Sequence, residues 1–86
     1  MIPDQAGQEF SKLVAIMAKL RAPDGCPWDL EQTFDSIKKY TLEETYEVID
    51  AIDERDWTGV CEELGDLSLQ PVFYAQMAQE QWLFDI

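Results

Sequence analysis

The sequence has 86 residues, 47% of them hydrophobic, and a formal net charge of −12. A chain of this length forms one domain at most, and a lone copy would bury too little surface to be more than marginally stable. Only six Lys and Arg residues accompany 18 acidic ones, which argues against binding to nucleic acid or to an anionic membrane, since both need basic clusters. We therefore expect a single folded domain over 1–86 that attracts cations and gains stability by oligomerisation.

Several kinds of site and location are excluded by what the sequence lacks. It contains no histidine, which excludes Ser-His and Cys-His nucleophiles and a histidine-ligated zinc site. Cys26 and Cys61 have no metal-ligand spacing and are interpreted as packing residues. No apolar run approaches the roughly 18 residues of a membrane span, and the N-terminus has no secretion-signal pattern. The expected compartment is the cytoplasm.

The first predicted helix follows a loose segment, Met1 to Pro3, and runs from an N-cap at Asp4 to about Arg21. Its apolar side chains recur with a helical period and predict a face that packs on the core: Phe10, Leu13, Val14, Met17 and Leu20. Two prolines and an Asp-Gly pair then predict an ordered loop over 22–29.

A short helix is predicted from Gln32 to Lys38, followed by a long one from Leu42 to about Arg55. Thr41 is the predicted N-cap of the long helix, and Glu44 completes a capping box of the form Thr-x-x-Glu. On a helical wheel Glu44 falls at the boundary of the apolar face, where a solvated acidic face does not explain it.

The last long helix is predicted from about Trp57 to Gln81, with Asp56 as its N-cap. Apolar residues nearly encircle it, which is typical of a central helix in a bundle or in a subunit interface. Pro71 is expected to kink it, and Trp57 and Trp82 are expected to pack. The predicted fold is all-α, a helical bundle of three long helices plus a short one, completed by oligomerisation.

Two short acidic motifs contain the candidate functional residues. Glu44 and Glu47 stand three residues apart, as do Glu63 and Asp66, so each pair lies one turn apart on one helical face. Four carboxylates facing one another repel unless a cation neutralises them, which favours a hard divalent metal. The alternative is that they are solvated surface acids. Glu43 is expected to assist these residues, as an extra ligand or by orienting a water.

Three further residues are candidates for substrate binding. Lys38 and Lys39 precede the acidic helix and could reach the phosphates of a substrate, or could be simply solvent-exposed. Trp28 could stack on a base, although a tryptophan between prolines more often anchors a loop on the core, which is the interpretation we favour.

These motifs together resemble the MazG family of nucleoside triphosphate pyrophosphohydrolases. The similarity covers about Phe10 to Phe84, and its motifs follow one another in the family's order and spacing. They are Cys26-Pro27-Trp28-Asp29, Gln32-Thr33, Tyr40-Thr41-Leu42, Glu43-Glu44-Thr45-Tyr46-Glu47 and Glu63-Leu64-Gly65-Asp66.

The resemblance implies an all-helical fold, dimers or tetramers, and Mg²⁺-dependent cleavage of a nucleoside triphosphate to the monophosphate and pyrophosphate, with Mn²⁺ as a possible substitute. Such an activity serves the housecleaning of nucleotide pools. Carried over by position, the metal ligands would be Glu44, Glu47, Glu63 and Asp66. The same motif makes Glu43, Glu44 and Glu47 the expected catalytic residues, with Glu43 assisting as base.

The sequence departs from the family pattern in three ways, and two of them, Pro71 and the short C-terminus, support a second hypothesis. Phe34 stands where the family often has histidine, Pro71 replaces an aliphatic residue, and the chain stops where a further helix with basic residues is usual. On this hypothesis the domain, short at its C-terminus, is a non-catalytic helical module that keeps the fold and functions in metal binding or oligomerisation.

Overall fold

The computed structural model describes residues 3–86, which form four helices and no β-strand. The helices are α1 (Pro3–Leu20), α2 (Pro27–Glu31), α3 (Phe34–Asp53) and α4 (Trp57–Glu80). The prediction of an all-α fold with three long helices and a short one is confirmed. Met1 and Ile2, assigned to a loose segment, lie outside the described residues. Among the described helices, none combines the length and apolar character needed to cross a lipid bilayer.

α3 and α4 form an antiparallel hairpin, because only residues 54–56 connect them. α3 ends in a Schellman motif, in which the N–H of Asp56 donates to Ala51 O at 3.0 Å and that of Arg55 to Ile52 O at 3.0 Å. Arg55 adopts the left-handed conformation, with φ of 57°. The Asp56 side chain then accepts from the N–H of Gly59 at 3.1 Å, which confirms the predicted N-cap of α4.

Three predicted helix boundaries are wrong. α1 begins at Pro3, so Asp4 lies in its first turn and is not its N-cap. The short helix is α2, which begins at Pro27. Proline is tolerated in the first turn because the backbone N–H that it lacks would have no partner within the helix there. The segment predicted as a separate helix over 32–38 belongs largely to α3, since no proline or glycine interrupts the chain between residues 34 and 53.

The N-cap of α3 is Thr33, not Thr41. Thr33 Oγ1 accepts from the N–H of Ser36 at 3.1 Å, and Ser36 Oγ accepts from the N–H of Thr33 at 2.8 Å. This capping box competes with the one at Thr41 and comes first along the chain. Thr41 therefore lies inside α3, and Glu44 has no capping role.

The core lies where α1, the N-terminal part of α3 and the C-terminal half of α4 meet. Its buried side chains are Met17, Ile37, Val72, Phe73 and Met77. The predicted α1 stripe supplies Met17, Leu13 and Val14, but Phe10 is 45% exposed. Burial of this apolar surface is the main driving force for docking α1 on the hairpin.

The N-terminal half of α4 contributes no buried side chain, so the expectation of a central helix holds only for residues 72–78. Trp57 and Trp82 are 62% and 95% exposed, and the prediction that they pack is wrong within a single chain. Pro71 lies inside α4 as predicted.

Arg21 ties the loop after α1 to α2 and to the end of α4. Its guanidinium donates to Asp29 O at 2.6 Å, to Gln32 O at 3.0 Å and to both carboxylate oxygens of Glu80 at 2.7 and 3.0 Å. At Gly25 the loop turns back against α1, and a Cβ there would collide with the carbonyl oxygen of Leu20. The predicted loop is therefore ordered by identifiable contacts.

Candidate metal centre

Three acidic side chains meet where α3 faces the exposed half of α4. One carboxylate oxygen each from Glu44, Glu63 and Asp66 lies within 4.8 Å of the other two. We call these three residues the acidic cluster. Glu44 extends from α3, and Glu63 and Asp66 extend from adjacent turns of α4, as the spacing of the motifs predicts.

The acidic cluster contains buried oxygens without hydrogen-bond partners. Oε2 of Glu44 and Oε2 of Glu63 are both inaccessible to solvent, and neither has a partner among the described residues. The three ion pairs of residues 3–86 all lie elsewhere: Lys12 with Glu9, Arg21 with Glu80 and Lys38 with Asp35. A carboxylate oxygen buried without a partner is costly, and the protein's own described side chains offer none to these two atoms.

The surroundings of the acidic cluster disfavour its negative charge. Burial, followed by the negative charges of Glu47 and Asp66, raises the pKa of Glu44 above its ordinary value of 4.5. For Glu63, a hydrogen bond with the Glu47 carboxyl and then burial raise the pKa to about 7. Repulsion from the neighbouring carboxylates acts in the same direction on both groups.

Glu47 belongs to the edge of this arrangement. Its side chain is exposed and its oxygens are not among the three that lie within 4.8 Å of one another, but its carboxyl contacts Glu63. The structure thus places three of the four predicted metal ligands in one cluster and the fourth beside it.

Oxygen ligands from several carboxylates are what Mg²⁺ and Mn²⁺ prefer in proteins. The two partnerless oxygens supply such donors from both helices, in a place where a cation would remove the repulsion. The residues present therefore fit a hard divalent metal.

The other predicted site residues lie outside the acidic cluster. Glu43 is exposed on α3, and Lys38 is paired with Asp35 at 3.0 Å on the surface. The ammonium of Lys39 lies 5.0 Å from the centre of the Tyr40 ring. Trp28, in α2, is 48% exposed and makes edge-on contacts with Tyr40 and Phe73, at 5.8 and 6.5 Å between ring centres. These contacts agree with an anchoring role and leave half of its surface free.

Sequence reasoning missed a polar contact beside the acidic cluster. Thr41 Oγ1 lies 2.7 Å from the Tyr74 hydroxyl and 2.9 Å from Gln70 Oε1. Thr41 lies one turn from Glu44 on α3, and Gln70 lies one turn from Asp66 on α4. The signal was present in the sequence, but the assignment of Thr41 as an N-cap concealed it.

Comparison with known proteins agrees with this geometry. Residues 32–86 match the family described as the MazG nucleotide pyrophosphohydrolase domain. The match includes α3 and α4 and therefore all four predicted metal ligands.

Individual relatives cover nearly the whole chain. It is 59% identical over 78 residues to a nucleoside triphosphate pyrophosphohydrolase of Escherichia coli (strain K12), covering 90% of this chain and 30% of the relative. It is 54% identical over 82 residues to the nucleoside triphosphate pyrophosphohydrolase/pyrophosphatase MazG of Thermotoga maritima, covering 95% and 32%. For a nucleoside triphosphate pyrophosphohydrolase of Mycobacterium tuberculosis the identity is 47% over 79 residues, covering 91% and 24%.

The chain thus spans about a third or less of the length of these relatives. The family match, however, extends over well more than half of its residues and includes the helix pair that holds the acidic cluster. The chain therefore belongs to the MazG nucleotide pyrophosphohydrolase domain family.

Proposed function

We propose that this domain hydrolyses nucleoside triphosphates to nucleoside monophosphates and pyrophosphate in a reaction that depends on Mg²⁺, or on Mn²⁺ in its place. The observation that carries the proposal is the pair of buried, partnerless oxygens of Glu44 and Glu63 beside Asp66. Relatives that bear the name nucleoside triphosphate pyrophosphohydrolase support it. The biological role would be the housecleaning of nucleotide pools in the cytoplasm, where free nucleoside triphosphates are held.

In this proposal Glu44, Glu47, Glu63 and Asp66 hold the metal. When bound, the ion would neutralise triphosphate charge and make a coordinated water more acidic. In the reaction a water oxygen bonds to the α-phosphorus and the bond from that phosphorus to the bridging oxygen breaks, so that pyrophosphate leaves. Glu43, exposed next to Glu44, accepts the proton of the water as general base.

The substrate contacts are assigned to the surface formed by Trp28, Tyr40 and Lys39. Tyr40 lies one turn before Glu44 on α3, so this surface adjoins the acidic cluster. The exposed half of Trp28 offers an aromatic contact to the base, and Lys39 brings positive charge next to it. Lys38 can release its exposed partner Asp35 at little cost and bind phosphate instead.

We also infer that the protein is a homo-oligomer, either dimeric or tetrameric. Large apolar side chains of α3 are exposed in one chain, with Leu42 at 58%, Tyr46 at 59% and Ile49 at 45%. They recur at helical spacing and form a continuous stripe, which is typical of an interface. Light scattering that gives the mass of one chain at micromolar concentration would contradict this inference.

The test of the activity is pyrophosphate release from a panel of standard and modified nucleoside triphosphates in the presence of Mg²⁺. Wild-type protein should release pyrophosphate, and Glu63→Gln should lower the rate by at least about a hundredfold, since it removes a ligand from the metal centre. Glu62→Gln is the matched control, because Glu62 is the exposed neighbour of Glu63.

Absence of pyrophosphate release from every triphosphate of the panel would overturn the proposed activity. Metal binding together with that result would instead support the non-catalytic module. Equal rates for wild type and Glu63→Gln would show that the acidic cluster is not the catalytic site.

A further inference from the structure

Three polar side chains form a hydrogen-bonded group between α3 and α4. The hydroxyl of Thr41 lies 2.7 Å from the Tyr74 hydroxyl, 2.9 Å from Gln70 Oε1 and 3.3 Å from Ile37 O. A threonine hydroxyl has one proton to donate, and the Gln70 oxygen can only accept. Tyr74 therefore donates to Thr41, and Thr41 donates to Gln70. We call these three residues the hydroxyl bridge.

Within residues 3–86, two groups of side-chain hydrogen bonds join α3 to α4, namely the hydroxyl bridge and the carboxyl contact of Glu47 with Glu63. The carboxyl contact is weakened by repulsion whenever both groups are ionised, and the other contacts of the hairpin include apolar ones. Apolar contacts have no preferred direction and tolerate sliding, whereas a hydrogen bond fixes two atoms to within a few tenths of an ångström. The hydroxyl bridge therefore helps to fix the axial register of the hairpin.

The hydroxyl bridge and the acidic cluster occupy neighbouring turns of the same interface. Thr41 precedes Glu44 by three residues on α3, and Gln70 follows Asp66 by four on α4. Each pair is one helical turn apart on one face. A displacement at the hydroxyl bridge would thus be passed directly to the separation of Glu44 from Glu63 and Asp66.

The acidic cluster needs such support because its carboxylates repel one another and the part of α4 that carries Glu63 and Asp66 has no buried side chain. On α4 every buried side chain lies at or after Val72, which is beyond Gln70 when seen from the acidic cluster. Tyr74 connects the bridge to that packed region, since its ring stacks on Phe34 at 6.0 Å and packs against the core. Thr41 is in this way fixed to the rigid part of the molecule.

We propose that Thr41 is a positioning residue for the metal centre, whose hydroxyl, held by Tyr74 and Gln70, sets the distance between the acidic side chains of α3 and those of α4. This inference rests on the metal centre of the proposed function and adds to it a residue that does not touch the metal. Loss of a partner that orients a metal ligand directly typically costs about 10- to 100-fold in metal affinity, and the lower figure is expected here because Thr41 bonds to Tyr74 and Gln70 and not to a ligand.

The test uses Thr41→Val, which keeps the shape of the side chain and removes the hydroxyl, in the full 86-residue chain. Mn²⁺ affinity is measured by titration calorimetry, and melting is followed separately in EDTA. We expect Mn²⁺ binding about tenfold weaker than in wild type. Thr41→Ser retains the hydroxyl and should restore the affinity to within about twofold.

Thr45→Val is the matched control. Thr45 is also a threonine of α3, but its hydroxyl donates to Thr41 O at 2.8 Å within its own helix. Its Mn²⁺ affinity should equal that of wild type. Tyr74→Phe removes the other hydroxyl of the bridge and keeps the aromatic packing, so it should also weaken Mn²⁺ binding and serves if Thr41→Val is poorly folded.

A folded Thr41→Val protein with wild-type Mn²⁺ affinity and only a lower melting temperature would overturn the proposal, because that result describes a purely structural residue. If the wild-type protein itself binds no Mn²⁺, the metal centre is wrong and the positioning role falls with it. The two failures are distinguished by the wild-type titration.

Discussion

Negative charge is accommodated in two opposite ways at the two ends of α4. Near its C-terminal end, the Glu80 carboxylate meets Arg21, a side chain only 10% exposed, through two hydrogen bonds. In its N-terminal half, Glu63 meets Glu44, Asp66 and Glu47, and no cation of the described residues is paired with them. The first site is neutralised within the protein, whereas the second brings acidic side chains together without a paired cation among the described residues.

The pKa directions report the same contrast. Hydrogen bonds from Arg21 lower the pKa of Glu80 below 4.5, whereas the surroundings of Glu63 raise its pKa to about 7. The opposite directions indicate that ionised Glu80 stabilises the fold, whereas ionised Glu63 destabilises it. A carboxylate held at a cost is a candidate for function.

Removing the Arg21 side chain should destabilise the protein more than the other changes below. Arg21→Ala would leave Glu80 and the carbonyl oxygens of Asp29 and Gln32 without their donor, and should lower the free energy of unfolding by about 3 kcal/mol. Urea unfolding measures this. Lys12→Ala, which breaks an exposed ion pair with Glu9, should change stability by less than about 0.5 kcal/mol. Equal losses in both variants would contradict the assigned role of Arg21.

Adding a divalent cation should have a somewhat smaller, opposite effect on stability. A divalent ion that binds only the folded state stabilises it by about 2.7 kcal/mol at a hundred times its Kd. Millimolar Mg²⁺ or Mn²⁺ should therefore raise the Tm of wild type and of Glu62→Gln, but not that of Glu63→Gln. An unchanged wild-type melting curve would show that the acidic cluster is not a metal centre.

Neutralising one carboxylate at each site should shift the melting temperature in opposite directions. In EDTA at about pH 8, Glu63→Gln should raise the Tm because it removes repulsion within the acidic cluster. Glu80→Gln should lower stability by roughly 0.5–1 kcal/mol, a value reduced for the exposure of Glu80. Calorimetric melting of both variants measures the signs, and two shifts in the same direction would contradict the distinction.

The smallest effect is the pH dependence of the Arg21–Glu80 pair. Because its pKa is lowered on folding, ionised Glu80 contributes stability above its ordinary pKa of 4.5, and this contribution is lost as the pH falls through the lowered value. The stability difference between wild type and Glu80→Gln should be constant from about pH 7 to 5 and shrink below that. A difference that instead grew in acid would reverse the assigned sign.

Much of this arrangement could be predicted from the sequence because it follows from periodicity. The spacing of Glu44 with Glu47 and of Glu63 with Asp66 places them on single helical faces, and the three-residue connection makes their helices antiparallel. The sequence offers two capping boxes, at Thr33 and at Thr41, and the prediction that Thr41 is the N-cap is wrong. Tertiary contacts such as Arg21 with Glu80, 59 residues apart, leave no local pattern from which to infer them.

The position of the apolar core along α4 could not be predicted from the sequence either. Apolar residues nearly encircle α4, but α1 covers only its C-terminal half, and which half is covered depends on how α1 docks. For the same reason the prediction that Trp57 and Trp82 pack is wrong for one chain, in which both are exposed.

The short connection between α3 and α4 also has a consequence for the order of folding. The hydroxyl bridge joins residues 29 and 33 positions apart, whereas docking of α1 must close the much longer loop between Arg21 and Glu80. Contacts between near neighbours in the chain form first, since they lose less entropy on closure. We expect the hairpin to assemble before α1 docks, so that changes in the hairpin alter the folding rate and changes at Arg21 mainly the unfolding rate.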